Sequence, residues 1–391
     1  MLIPFHRPSF TELEICRSRS AIASADLRSG GRYSKWCLEL LAQRLGQREL
    51  LLTGSATVAL ELAMILAEIG PGDEVIMPAF TFVSCANAVV LRGGTPVFVD
   101  IRPDTLNIDV EAVRSAVTDR TRAVLAIHYA GVPFAVAELS ELARERGLLV
   151  IEDAAHAFGS AVDGCEAGTF GDLAVFSFHH TKNISCGEGG LLAINNASFV
   201  DRARVVHENG TNRHGFEAGK TLRYEWKDIG SSFAPSDLTA ALLSAQLERA
   251  DEILSTRRAL WDSYHQAFQG IERAGVGRPT VPKGVRHNGH IYYLLMPDAG
   301  IRAQLIEALA GRSIQATTHY VPLDRTPGGR RFGRASGTLA NTHSVSERLI
   351  RLPLWTGMGS LQDEVVQATL AAIESLSQRA NTSLKANPAS H

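Results

Sequence analysis

Between residue 49 and about residue 195 the chain alternates short apolar runs with longer stretches of helical periodicity. The runs at 50–52, 75–77, 97–99, 123–127, 148–151, 173–178 and 191–194 are rich in Val, Ile and Leu and are short enough for strands. Stretches 56–69, 110–117 and 136–146 carry apolar residues at helical spacing between them. Strands that are apolar at nearly every position are covered on both faces. The alternation therefore predicts an α/β fold around a mostly parallel, doubly wound sheet. The texture changes after residue 228. Stretches 236–248 and 250–268 read as long helices, and 275–289, rich in Gly, Pro, Lys and Arg, reads as a loop. A smaller α/β unit follows, with strands at 290–296 and 313–320 and helices at 301–309, 344–351 and 362–377. The expected division is a large domain with an N-terminal arm at 1–250, a small C-terminal domain at 251–377, and a polar, disordered tail at 378–391.

The bulk properties narrow the class. A chain of 391 residues can bury one large core and a smaller second one. A net charge of −2 leaves no basic footprint for nucleic acid. No apolar run reaches spanning length and the N-terminus is broken by polar residues, so neither a membrane helix nor a signal peptide is expected. The five cysteines are odd in number and scattered, which fits reduced thiols in a cytoplasm. His179 and His180 would point to opposite sides of an extended chain, which speaks against a metal pair.

The chemistry concentrates at two strand ends. Lys182 follows the apolar run 173–178 and precedes Gly187-Glu188-Gly189-Gly190, whose glycines imply a tight turn. Asp153 ends the run 148–151. A lysine amine and a carboxylate at the mouths of neighbouring strands are what pyridoxal 5'-phosphate (PLP) requires: the amine forms the Schiff base and the carboxylate keeps the pyridine nitrogen protonated. Taken alone, Lys182 reads as a solvated surface charge, and Asp153 reads equally as a turn former or as a ligand-binding group outside a strand's carboxyl end. Gly54-Ser55-Ala56-Thr57 leads from a strand into a helix N-terminus, either a plain cap or a phosphate cradle formed by Ser55, Ala56 and Thr57. Ser177 can add a hydroxyl to the same phosphate, or simply bond backbone. Phe82 can stack on the pyridine or pack in the core. His156 can bond the ring hydroxyl, orient Asp153, or be an ordinary packed histidine.

Taken in order, Gly54-Ser55-Ala56-Thr57, Pro71-Gly72-Asp73-Glu74-Val75-Ile76, Glu152-Asp153-Ala154-Ala155, Ser177-Phe178-His179, Thr181-Lys182-Asn183 and Gly187-Glu188-Gly189-Gly190 resemble the DegT/DnrJ/EryC1/StrS family of nucleotide-sugar aminotransferases. The resemblance extends from about residue 3 to residue 376. Thr81-Phe82-Val83-Ser84, His128-Tyr129-Ala130-Gly131-Val132, Gly210-Thr211-Asn212-Arg213, Asp228-Ile229-Gly230-Ser231-Ser232-Phe233 and His319-Tyr320-Val321-Pro322-Leu323 are similar to the branch that makes dTDP-4-amino-4,6-dideoxygalactose. The resemblance implies a PLP-dependent transferase of fold type I, cycling through pyridoxamine 5'-phosphate. It implies a homodimer with shared active sites, L-glutamate as amino donor, and a nucleotide-linked 4-keto-6-deoxy sugar as acceptor. Ser232 stands where the family's cross-subunit phosphate contact is an amide, so a hydroxyl is expected there. His180 stands where the dideoxygalactose branch has an acidic residue. Arg213 and Lys220 are candidates for the substrate diphosphate, and His319 and Tyr320 for sugar or phosphate, although charged loop residues are usually just solvated. A dehydratase of the same fold would replace the lysine by histidine, and an oxidoreductase would need a G-x-G-x-x-G turn; this chain keeps Lys182 and lacks the turn.

Overall fold

The computed structural model describes residues 2–46, 48–217 and 219–386. Each predicted run of the large unit is a strand: β1 (Glu49–Thr53), β2 (Glu74–Pro78), β3 (Thr95–Val99), β4 (Thr121–Ile127) and β5 (Leu149–Asp153). A short hairpin, β6 (Ala161–Val162) and β7 (Cys165–Glu166), precedes β8 (Leu173–Ser177) and β9 (Gly190–Ile194). Later come β10 (Val285–Arg286), which pairs with β6, then β11 (Tyr292–Leu295), β12 (Arg334–Ala335) and β13 (Leu349–Leu352). The main sheet has the order β1-β9-β8-β5-β4-β2-β3-β12. β9 runs antiparallel to both β1 and β8, and every other neighbouring pair in it is parallel.

Alternating side chains of these strands enter different cores, the direct signature of a sheet covered on both faces. In β8, Leu173 and Val175 pack with the helices α3 (Ala56–Leu66) and α4 (Val83–Val90), whereas Ala174 and Phe176 pack on the other face. That other face is covered by α2 (Arg32–Leu45) and the helix Asp237–Glu248. Helix α2, and α1 (Glu12–Ala23) before it, are elements the sequence reading did not predict. In α2 the buried Tyr33, Cys37, Leu41 and Leu45 recur every four residues, a helical signal diluted by the charged residues between them. In α1 the start is a capping box of Thr11 and Glu14, with little apolar periodicity behind it.

Three expectations in the C-terminal half change. Segment 313–320 forms no strand; it contributes isolated bridges, Ile3 to Ile314 and Thr317 to Arg351. The predicted helix 344–351 is instead the end of a helix, Ala340–Arg348, followed by β13, which pairs antiparallel with β11. Buried Leu349, Ile350 and Leu352 satisfy an extended ladder, and Pro353 keeps Leu352 out of helical geometry. The C-terminal helix Leu361–Ala386 continues through residues 378–386, which the sequence reading assigned to a disordered tail; 387–391 lie outside the described residues. No glycine or proline interrupts the chain before Pro388, and Ala, Leu, Lys and Arg favour continuation.

The chain crosses the division expected at residue 250 in both directions. Ile3 is buried in the core around Trp261, Tyr264 and Tyr292. Conversely β12 extends the large sheet beside β3, and Leu323, Leu339 and Val345 join its core. The N-terminal arm and the segment after residue 313 thus meet over the carboxyl ends of the strands. No helix among the described residues is long and apolar enough to cross a membrane.

Candidate active site

β5 and β8 are adjacent and parallel, so their carboxyl ends lie side by side. β5 delivers Glu152 and Asp153 to opposite faces. Glu152 is fully buried and accepts hydrogen bonds from the Gly168, Phe170 and Gly171 amides at 2.7–2.8 Å and pairs with His128 Nε2 at 2.8 Å. It ties down the loop ahead of β8. Asp153 points the other way. Its Oδ1 accepts from the Ala155 amide at 3.0 Å, and Cys85 Sγ donates to its Oδ2 at 3.2 Å. Burial, reinforced by Asp153's charge, pushes the Cys85 thiol's pKa well up, so it remains a donor.

The loop after β8 is closed at its base. Phe178 N donates to Gly189 O at 2.8 Å, His180 N to Gly187 O at 2.7 Å, and Cys186 N to Phe178 O at 2.9 Å. Gly187 sits at φ +85°, which favours glycine. Inside this loop Lys182 is turned back by the hydrogen bond that its backbone N–H donates to His179 O at 2.9 Å. Asn183 anchors the far side, donating to Asn288 O at 2.9 Å and meeting His290 Nδ1 at 2.8 Å. The same turn brings the His179 and His180 rings together, 4.1 Å between centroids, instead of directing them apart as an extended chain would.

Lys182 and Asp153 line one cavity of about 580 Å³. Burial lowers the Lys182 pKa from 10.5 to about 8; Asp153's charge raises it and Arg351's lowers it further. The cavity also takes in Ser55, Ala56, Thr57 and Ser177. Ser55 caps α3, its Oγ accepting from Val58 N at 3.3 Å, so the remaining amides of the first turn face the cavity end. Gly190 passes directly beneath. A Cβ there would stand 2.4 Å from the Ser55 carbonyl carbon, so only glycine lets β9 approach the helix start. Phe82, 56% exposed, stands at the start of α4 and lines the cavity, while its neighbour Phe80 is the core residue. His156, His319 and Tyr320 form the opposite wall. His319 and Tyr320 stack at 3.9 Å, Tyr129 Oη meets His319 Nδ1 at 3.2 Å, and Tyr320 Oη lies 3.5 Å from His156 Nε2. Burial drives the His156 pKa well down and, with Arg351's charge, holds His319 at about 2.

Three of the predicted residues are elsewhere. Ser232 and Arg213 line a second cavity of about 500 Å³, with His207 and Glu208. Lys220 is exposed on the neighbouring loop and lines neither cavity.

The sequence profile of the DegT/DnrJ/EryC1/StrS aminotransferase family matches residues 8–371. The chain belongs to this family. It is 33% identical over 360 residues to the dTDP-4-dehydro-2,3,6-trideoxy-D-glucose 4-aminotransferase of Saccharopolyspora spinosa, covering 90% of this chain and 92% of that one. Among solved structures it resembles the aminotransferase TlmJ from Streptoalloteichus hindustanus, with a TM-score of 0.88, 31% identity, and coverage of 96% and 100% of the two chains. A Streptococcus pneumoniae protein solved in a PLP form matches with a TM-score of 0.88, 25% identity, and coverage of 96% and 99%. The chain is a PLP-dependent aminotransferase of fold type I.

The cavity of this aminotransferase fits PLP on its own terms. It offers one lysine amine, a helix N-terminus for a phosphate, a carboxylate for a ring nitrogen, and a buried His156 Nδ1 with no partner among the described residues. Sequence reasoning missed Thr317, His290, Phe5 and Arg351, which also border it, and Cys85, which stands behind Asp153. Arg351 was hidden by the helix predicted for 344–351. The alternation Leu349-Ile350-Arg351-Leu352 followed by Pro353 was the signal for a strand.

Proposed function

We propose that this enzyme transfers the amino group of L-glutamate to C4 of a nucleotide-linked 4-keto-6-deoxy sugar, specifically dTDP-4-dehydro-6-deoxy-D-glucose, giving dTDP-4-amino-4,6-dideoxy-D-galactose. The observation that carries the reading is Lys182 facing the same cavity as Asp153, with the α3 N-terminus at its end. The activity of the Saccharopolyspora relative on a dTDP-linked 4-keto sugar supports the choice of nucleotide and carbon.

The roles follow from position. Bound PLP would supply an electron sink that acidifies the donor's Cα–H and a carrier for its nitrogen. Ser55, Ala56, Thr57 and Ser177 hold the phosphate through backbone amides and hydroxyls. Asp153 keeps the pyridine nitrogen charged, and Cys85 and Ala155 fix that carboxylate's orientation. Phe82 would cover one face of the ring and His156 would bond its hydroxyl. Lys182, poised near pH 8, takes the Cα proton and returns it, later delivering one to sugar C4. His319 and Tyr320 border the sugar.

Ser232 and Arg213 act in the partner's site of a homodimer, with Lys220 reaching the substrate diphosphate. The loop bearing these groups exposes Leu222 at 98% and Trp226 at 79%, an apolar surface suited to a second copy. Product analysis tests the whole reading. The enzyme, glutamate and a panel of dTDP-, UDP- and GDP-linked 3- and 4-keto sugars should yield an axial C4 amine from the dTDP-linked 4-keto sugar by NMR. Amination at C3, or preference for another nucleotide, overturns the assignment.

A further inference from the structure

Arg351 is a charged residue of the cavity with no task in the proposed chemistry. It is the third residue of β13 and lines the Lys182 cavity. Its backbone is tied to Thr317, N to O at 2.7 Å in one direction and 3.2 Å in the other. That bridge locks it to the segment bearing His319 and Tyr320. The guanidinium lies 4.5 Å from the Phe5 ring centroid, and Nη1 donates to His319 Nε2. The neutral imidazole is thereby used as an acceptor and supplies no counter-charge.

What remains is one edge of the guanidinium. Nε is buried and has no acceptor among the described residues, and no described carboxylate pairs with Arg351. Elsewhere in this molecule the same edge grips carboxylates. Arg204 holds Glu49 through Nε and Nη2 at 2.8 and 2.7 Å, and Arg334 holds Glu74 at 3.0 and 2.8 Å. A buried guanidinium without an anion is costly, and its planar fork matches a carboxylate. Arg351 and Lys182 line the same cavity, so the guanidinium that carries the unpartnered Nε borders the space of the reacting amine.

Two substrate anions could meet it. The nucleotide diphosphate is separated from the reacting carbon by the sugar ring. An amino acid's α-carboxylate is bonded directly to the carbon that Lys182 deprotonates, so it must sit inside the cavity. We infer that Arg351 binds the α-carboxylate of the amino-acid donor, orienting Cα toward Lys182. This rests on the aminotransferase reading above.

The test separates the two half-reactions in the holoenzyme. Bleaching of the yellow cofactor band by L-glutamate reports the first; reaction of the aminated enzyme with keto sugar reports the second. R351Q should raise the glutamate KM by about 30-fold or more, the loss typical of removing one partner of an enclosed charge pair. R351K keeps the charge but not the fork, and should raise it by about tenfold. The sugar carries no carboxylate, so the second half-reaction should lose at least about tenfold less than the first in R351Q, even though that variant also removes the hydrogen bond to His319 beside the sugar. Isothermal titration of 2-oxoglutarate into borohydride-reduced enzyme, which cannot turn over, should show the same ranking of affinities. A wild-type glutamate KM in either variant, or equal losses in both half-reactions, overturns the inference. Failure of wild-type enzyme to bleach with glutamate would instead sink the donor assignment itself.

Discussion

The two walls of the Lys182 cavity are built differently. The floor comes from strand ends and one helix start: Asp153 on β5, Ser177 and the closed loop on β8, and Ser55 to Thr57 at α3. These elements are neighbours in one sheet, and each carries its chemistry within a few residues of a buried strand. The opposite wall comes from Phe5, Thr317 to Tyr320 and Arg351, far apart in the chain. It is joined by single bridges, Ile3 to Ile314 and Thr317 to Arg351. A continuous ladder makes the floor rigid, whereas the wall depends on the arm and the C-terminal unit closing together. On the proposed function, the floor holds the cofactor and the wall meets two successive substrates.

The comparison can be broken most severely at the floor. Lys182→Ala should lose at least about 10⁴-fold in turnover while still binding pyridoxamine phosphate. Normal steady-state rates with glutamate and keto sugar would show that another lysine does the work. Asp153→Asn should reduce the rate by about 10²–10³-fold with cofactor retained, because a neutral amide does not hold the ring nitrogen's proton. Near-wild-type turnover by this variant would remove Asp153 from the sink.

A change at the wall should have a different signature. Ile3→Ala empties a buried site in the arm and should cost about 2–4 kcal/mol in stability. Thermal melting reads that loss, and substrate KM should rise with PLP affinity unchanged. If PLP affinity falls in step, the two walls are not separable.

The pH dependence sharpens the floor. The Lys182 pKa is lowered from 10.5 to about 8, and its neutral form attacks the aldehyde. PLP uptake by apoenzyme should therefore rise about tenfold per pH unit below pH 8 and level off above it. Uptake still rising steeply beyond pH 9 would mean the amine is not enclosed. The smallest effect belongs to Lys220→Ala. This exposed residue should change the nucleotide-sugar KM by only about two- to threefold, and added salt should erase the difference.

Legibility divides along the same line. Asp153, Lys182 and the α3 start could be read from the sequence because periodicity located their strands and glycines their turns. Arg351 could not, since a helix was expected where β13 lies, and a strand pairing with β11 some sixty positions earlier leaves only a short local pattern. Cys85 was equally silent: its contact with Asp153 joins α4 to β5 across the sheet.

The amino-acid order by itself determined the alternating sheet, the strand ends and the lysine and carboxylate that stand at them, because burial period and turn chemistry are local properties. Only the tertiary structure decided which cations reach the cavity. The open edge of Arg351, the placement of Ser232 and Arg213 in a separate cavity, and the arm bearing Phe5 depend on segments hundreds of residues apart packing together. No local pattern encodes that meeting; the desolvation of each charge is set by what the whole fold brings beside it.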